Sequence, residues 1–127
     1  MKLGDSAEVT RSICKRDLSD YTALSQHVVS GDVVPEPLIG ALFSYLLGVQ
    51  LPGSGANYLK QETRFHRAAR VGDALTARVE ITRIRPEKHL VDLSTTCTGH
   101  DGQLIAKGRA LVSVRDVNTK PRTENEN

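Results

Sequence analysis

The sequence predicts an α+β fold in which a strongly bent antiparallel sheet wraps around a central apolar helix. Three observations point there. Residues 37–48, PLIGALFSYLLG, are apolar on nearly all sides, as suits a helix that is enclosed rather than laid on a surface. The later segments carry period-two apolar positions and are separated by short turns marked by Gly or Pro, the pattern of antiparallel strands. The chain has 127 residues, of which 39% are apolar and 25% charged, enough for one modest core and too few for two folded domains. A single domain over residues 1–117 is therefore expected, followed by a tail over 118–127 that lacks apolar anchors and is expected to be mobile.

The elements follow in order. A short alternating stretch around Ala7, Val9 and Thr10 predicts the first strand. Residues 17–26, DLSDYTALSQ, offer Asp17 or Ser19 as N-cap and set Leu18, Tyr21 and Leu24 at helical spacing, which predicts a short amphipathic helix. Between His27 and Pro37 the β-branched residues, Gly31 and two prolines resist a regular helix, so a shaped loop is expected. Pro37 suits the first turn of the central helix, where no amide bond is lost, and Gly48 suits its C-cap.

Residues 49–60, VQLPGSGANYLK, concentrate glycine beside Pro52 and predict a tight reversal that packs Tyr58 and Leu59 into the core. Strands are then expected at Tyr58–Phe65, around Ala77, Val79 and Ile81, at Leu90–Cys97 and at Leu104–Val114. Reversals separate them at Val71-Gly72-Asp73, at Pro86 and at Gly99-His100-Asp101-Gly102. In the last strand Ala106, Gly108, Ala110, Val112 and Val114 share one face, and small residues there permit close packing against the helix or a partner sheet.

The formal charge of +2, from 17 Lys+Arg against 15 Asp+Glu, gives little reason to expect a nucleic-acid partner. Cys14 and Cys97 have neither metal-knuckle nor redox-pair spacing, so no metal or cofactor is expected. The N-terminus lacks the apolar run of a secretion signal, and the central apolar segment is shorter than a membrane span. A reducing, cytoplasmic setting is the expectation.

Residues 37–114 resemble the (R)-specific enoyl-CoA hydratases of the MaoC-like, hotdog-fold family. The resemblance is carried by LFSYLLGVQLPGSGANYL at 42–59, QETRF at 61–65, VGDALTARVEIT at 71–82 and the terminal DGQLIAKGRALVSV. It implies a sheet wrapped around the apolar helix, a homodimer, an acyl-CoA substrate held in a tunnel near the subunit interface, and no cofactor beyond the CoA that the substrate carries. It also implies addition of water across the double bond of a 2-enoyl-CoA.

The family uses an Asp followed, after four residues, by a His in the loop after the short helix. Here Ala23, Leu24, Ser25 and Gln26 lead to His27, and four residues later to Asp32, so the two residue types are exchanged while their spacing is kept. About ten residues that the family places between this dyad and the central helix are absent. The family's His-Gly-Met at the helix start lines up with Pro35, Glu36 and Pro37, which puts the Glu36 amide where the family presents a glycine amide to the thioester oxygen.

Hydration requires an activated water, a proton for the α-carbon and stabilisation of enolate-like charge on the thioester oxygen. Imidazole is the side chain that accepts protons near neutrality, so His27 suits the base; Asp32 suits binding the same water, orienting His27 or acting as the acid. Both residues also fit a plain solvated turn, Ser-Gly-Asp being a common one. Glu36 suits a helix N-terminus as an anion, and an acid there equally suits thioester hydrolysis, by activating water or attacking the acyl carbon.

Gly53, Gly55 and Ala56 offer backbone groups to a pantetheine arm, and Ser44 and Leu47 match family positions that line the acyl pocket. Arg64, His66, Arg67 and Arg70 gather positive charge that suits CoA phosphates or a carboxylated acyl group, with Arg64 and Arg67 as the principal contacts. A small dicarboxylic substrate such as itaconyl-CoA is compatible with that cluster. Two rival readings stay open: a hotdog acyl-CoA thioesterase using Glu36, and a non-catalytic acyl-CoA-binding protein.

Overall fold

A computed structural model describes residues 1–17 and 33–115. The expected helix beyond Asp17, the residues His27 and Asp32, and the tail over 118–127 lie outside this range. The described elements are β1 (Ser6–Ser12), α1 (Glu36–Tyr45), β2 (Asn57–Phe65), β3 (Ala74–Arg85), β4 (Leu90–Thr98) and β5 (Leu104–Ser113). The strands form one open sheet in the order β1-β3-β4-β5-β2, with every neighbouring pair antiparallel.

Strand alternation builds the core, as the period-two positions predict. Leu75, Ala77, Val79 and Ile81 of β3, Val91, Leu93, Thr95 and Cys97 of β4, and Ala106, Ala110 and Val112 of β5 are buried. They meet Ile39, Leu42 and Phe43 of α1 and the following Leu46 and Leu47. The expected central helix on a single bent sheet is therefore present. Among the described residues, no helix is long and apolar enough to cross a membrane.

The helix differs from expectation at both ends. It starts at Glu36, so Pro37 is its second residue, and it does not stop on Gly48. It widens instead into a π turn over Leu46–Gln50. Leu51 N–H donates to the Leu46 carbonyl at 2.8 Å and Gly53 N–H to that of Leu47 at 3.0 Å. Later amides thus satisfy the terminal carbonyls that a left-handed Gly48 would otherwise have to cap. Gly53 takes the left-handed conformation instead, at φ +101°. Nor is the helix covered on every side by described residues: Tyr45 and Val49 are 47% and 60% exposed.

Three further expectations change. Lys15 to Asp17 are already helical, and the Asp17 carboxylate accepts the Cys14 N–H at 2.8 Å. Asp17 is therefore a first-turn residue reaching back, as in a capping box, rather than the N-cap itself. That bond comes first among the causes holding the Asp17 carboxyl below its ordinary range, and the Arg11 guanidinium adds to it. Tyr58 and Leu59 do not enter the core; Leu59 sits at a register break in β2 and is 57% exposed, because an extra residue in an edge strand turns its neighbours out of the pleat. Finally, Gly108 serves the adjacent strand rather than the helix or a partner sheet, since a Cβ there would land on the Glu62 carbonyl oxygen.

Candidate active site

The segment before α1 is tied to the turn that follows β2. Val33 bridges Arg70 in antiparallel fashion, and Val34 N–H donates to the Ala69 carbonyl at 2.8 Å. On the other side of the same turn, His66 N–H donates to the Ile105 carbonyl at 2.8 Å. These bonds fix the mouth of a cavity of about 280 Å³ lined by Val33, Val34, Glu36, Ile39, Phe65 and the run His66–Ala69. Its apolar floor is Ile39, Val34 and Ala69; its polar rim is Glu36, His66 and Arg67.

The helix start on that rim has an unusual donor count. Pro35, the N-cap, and Pro37 carry no N–H, and among the described residues no side chain caps the turn. Leu38 N–H donates to the Pro35 carbonyl at 3.0 Å. The Glu36 amide is thus the first-turn donor left for an outside acceptor, at the positive end of the helix.

Ser44 lies eight residues along, roughly 12 Å at 1.5 Å per residue. It is exposed and lies beside the Tyr58 phenol of β2. Half-burial raises the Tyr58 phenol above its ordinary pKa, and the adjacent Ser44 hydroxyl partly opposes the rise. Leu47 is 2% exposed and packs within the core. Gly53 and Ala56 spend their amides locally, on the carbonyls of Leu47 and Gly53 respectively. Gly55, at φ +95°, makes the turn into β2.

Of the four basic residues that the sequence groups together, Arg64 parts from Arg67 and Arg70. Arg67 faces the Glu36 cavity. Arg64 lies instead in a groove between β2 and β5 with Lys107 and Arg109, and His66 borders both spaces. Arg70 lines a neighbouring cleft with Asp73, His100 and Asp101, and Arg67 lines that cleft too. Sequence reasoning missed Lys107 and Arg109; the available signal was their alternation with the buried Ala106 and Ala110, which turns both outward.

Comparison with known proteins now adds to this geometry. No family model matches the chain. An (R)-specific enoyl-CoA hydratase of Aeromonas caviae is 40% identical over 128 residues, spanning 90% of this chain and 96% of the relative. One of Rhodospirillum rubrum is 34% identical over 128 residues, spanning 90% and 88%. Among solved structures, the (R)-hydratase of A. caviae involved in PHA biosynthesis superposes with a TM-score of 0.83 at 31% identity, covering 89% of this chain and 96% of that one.

Proposed function

The chain belongs to the (R)-specific enoyl-CoA hydratase family, and from that premise we propose that it reversibly hydrates a 2-enoyl-CoA to the (R)-3-hydroxyacyl-CoA. The observation that carries the reading is the near full-length match to two such hydratases. The helix-start donor on the rim of an apolar cavity supplies the complementary chemistry. With the thioester oxygen at the Glu36 amide, charge that develops on it as water adds to the β-carbon meets a fixed N–H and the helix dipole. His27 takes the proton of the attacking water, while Asp32, held as the neutral acid on the same water, gives its proton to the α-carbon and recovers one from the His27 imidazolium. The proton count balances: water supplies hydroxide to one carbon and, through the dyad, a proton to the other.

Leu47 and Ser44 bound the acyl end, the latter beside Tyr58. Arg67 and Arg64 contact charged parts of the substrate, and Arg67, on the cavity rim, keeps a small dicarboxylic acyl group such as itaconyl in play. Gly53, Gly55 and Ala56 flank the pantetheine arm. The protein acts as a homodimer: among the described residues β2 is an edge strand, and its own Tyr58 and Leu59 are exposed, the combination that invites pairing with a second copy. A CoA-thioester substrate and two free cysteines suit the reducing cytoplasm.

The test is a panel of enoyl-CoAs, including a dicarboxylic one, assayed for water addition and for free CoA. Hydration that falls roughly 10²- to 10⁴-fold in His27→Ala and Asp32→Ala, with the fold intact by circular dichroism, supports the dyad. Release of CoA without hydration overturns the reading in favour of a thioesterase, and acyl-CoA binding with neither reaction in favour of a binding protein.

A further inference from the structure

A cavity of about 180 Å³ opens on the face of the sheet turned away from α1, and it shares no lining residue with the Glu36 cavity. Four strands build it: Lys60 and Glu62 come from β2, Arg109 and Leu111 from β5, Asp92 from β4 and Arg85 from β3. Strand alternation sets the face. Asp92 lies between the buried Val91 and Leu93, and Arg109 precedes the buried Ala110, so both side chains leave the core side of the pleat. Leu111 stands between two of the charged residues, paired with Lys60 on one side and with Asp92 on the other.

The charges of the wall do not cancel. Glu62 answers Arg109 at 2.9 Å, and Asp92 answers Arg85 at 2.7 Å. Lys60, a diagonal neighbour of Arg109 across the β2–β5 pairing, has no carboxylate within ion-pair distance among the described residues. One positive charge is therefore left over. The Arg85–Asp92 pair is also well covered for an outer sheet face, its side chains being 24% and 26% exposed. Asp92 accepts from Arg85 Nη2, while Arg85 Nε is screened from solvent and has no hydrogen-bond partner among the described residues. A guanidinium presents five N–H donors in a planar fork, so Arg85 keeps donor capacity that Asp92 does not use.

A leftover charge and spare planar donors suit an oxygen-rich anion, and the space limits its size. The volume falls below the roughly 300 Å³ at which pockets begin to enclose drug-sized ligands, so a nucleotide does not fit. We infer that this cavity binds a small oxyanion, phosphate or a short carboxylate, with Lys60, Arg85 and Arg109 as its contacts. Arginine supplies the fork and lysine the point charge that such anions take. Lys60 lies at the register break of β2 and Arg85 on β3, so the bound anion ties the edge strand to the strands beyond β5. The native chain is stabilised in proportion to occupancy.

The site stands apart from the hydratase reading and is tested without substrate. Inorganic phosphate and, separately, succinate are titrated into the isotope-labelled full chain, with ionic strength held constant by sodium chloride. Saturable amide shifts centred on Lys60, Asp92 and Leu111 are expected, with a Kd about tenfold weaker in Lys60→Gln. Lys60 is exposed, so that variant keeps the fold. Lys107→Gln, which removes a positive charge outside the cavity, is expected to bind as tightly as the unmutated chain. Saturation by either anion supports the site, and which of them binds tells a tetrahedral ligand from a planar one. No saturable shift with either anion, equal affinity in Lys60→Gln and Lys107→Gln, or displacement of phosphate by free CoA would overturn the assignment.

Discussion

Leu38 donates its amide to the Pro35 carbonyl at 3.0 Å, and that bond, between two prolines' worth of missing N–H groups, leaves Glu36 as the donor at the mouth of α1. The consequence can be tested by separating the Glu36 amide from its side chain. Pro35 has ψ 139°, the value that a following proline prefers, and proline suits a first helical position. Glu36→Pro should therefore fold while deleting the donor. A loss of roughly 10²-fold in kcat is expected from removing one such donor, whereas Glu36→Gln, which keeps the amide, should hydrate at nearly the rate of the unmutated chain. The reverse pattern in a stopped assay of product formation would assign the work to the carboxylate.

Much of this arrangement was legible in the chain, and the failures have local causes. Strand positions followed from period-two burial, and turns such as Gly99–Gly102 from their glycines, because both depend on near neighbours. Gly48 misled because a helix end is chosen by whichever later amides reach its carbonyls, here those of Leu51 and Gly53. The basic cluster misled for a similar reason. Arg64, Arg67 and Arg70 are close in sequence, but the strand end at Phe65 and the turn beyond it set Arg64 apart from Arg67 and Arg70, which line a common cleft. Lys107 and Arg109 join Arg64 only through cross-strand register, which no local pattern encodes.

Stability should fall in alkali through one buried acid, Cys97, and one half-buried acid, Tyr58. Burial pushes the Cys97 thiol up to about 11 from 9.0, and burial also raises the Tyr58 phenol from 10.0. In each case the unfolded chain ionises first, so the contribution is complete below the unfolded value and is lost as pH rises through the folded one. The urea midpoint should hold steady up to about pH 9 and decline toward pH 11, and Cys97→Ala should remove the part of the slope that begins first. Tyr58→Phe should remove the part that begins near pH 10. A thiol reagent at neutral pH should modify exposed Cys14 quickly and buried Cys97 only after denaturation; rapid reaction of both would contradict the burial.

Thr95 and Gly108 face each other in the β4–β5 register, and substitutions at the two should act with opposite sign. Thr95 is fully buried and its hydroxyl oxygen has no hydrogen-bond partner among the described residues, so it bears a desolvation penalty with no return. Thr95→Val keeps the branched shape while removing that group, and should leave stability unchanged or raise it by up to about 1 kcal/mol. At Gly108 an added methyl meets the Glu62 carbonyl oxygen and the Thr63 Cα, both backbone atoms that no rotamer change can clear. Gly108→Ala must therefore push β2 away from β5, at a cost of about 3 kcal/mol or more, at or beyond the upper end of ordinary overpacking. Because β2 also carries Tyr58, the same variant should shift acyl-chain preference even where enough folded protein survives to assay. Equilibrium unfolding in urea measures the first pair of effects, and a Gly108→Ala midpoint equal to that of the unmutated chain would show that β2 does not lie so close to β5.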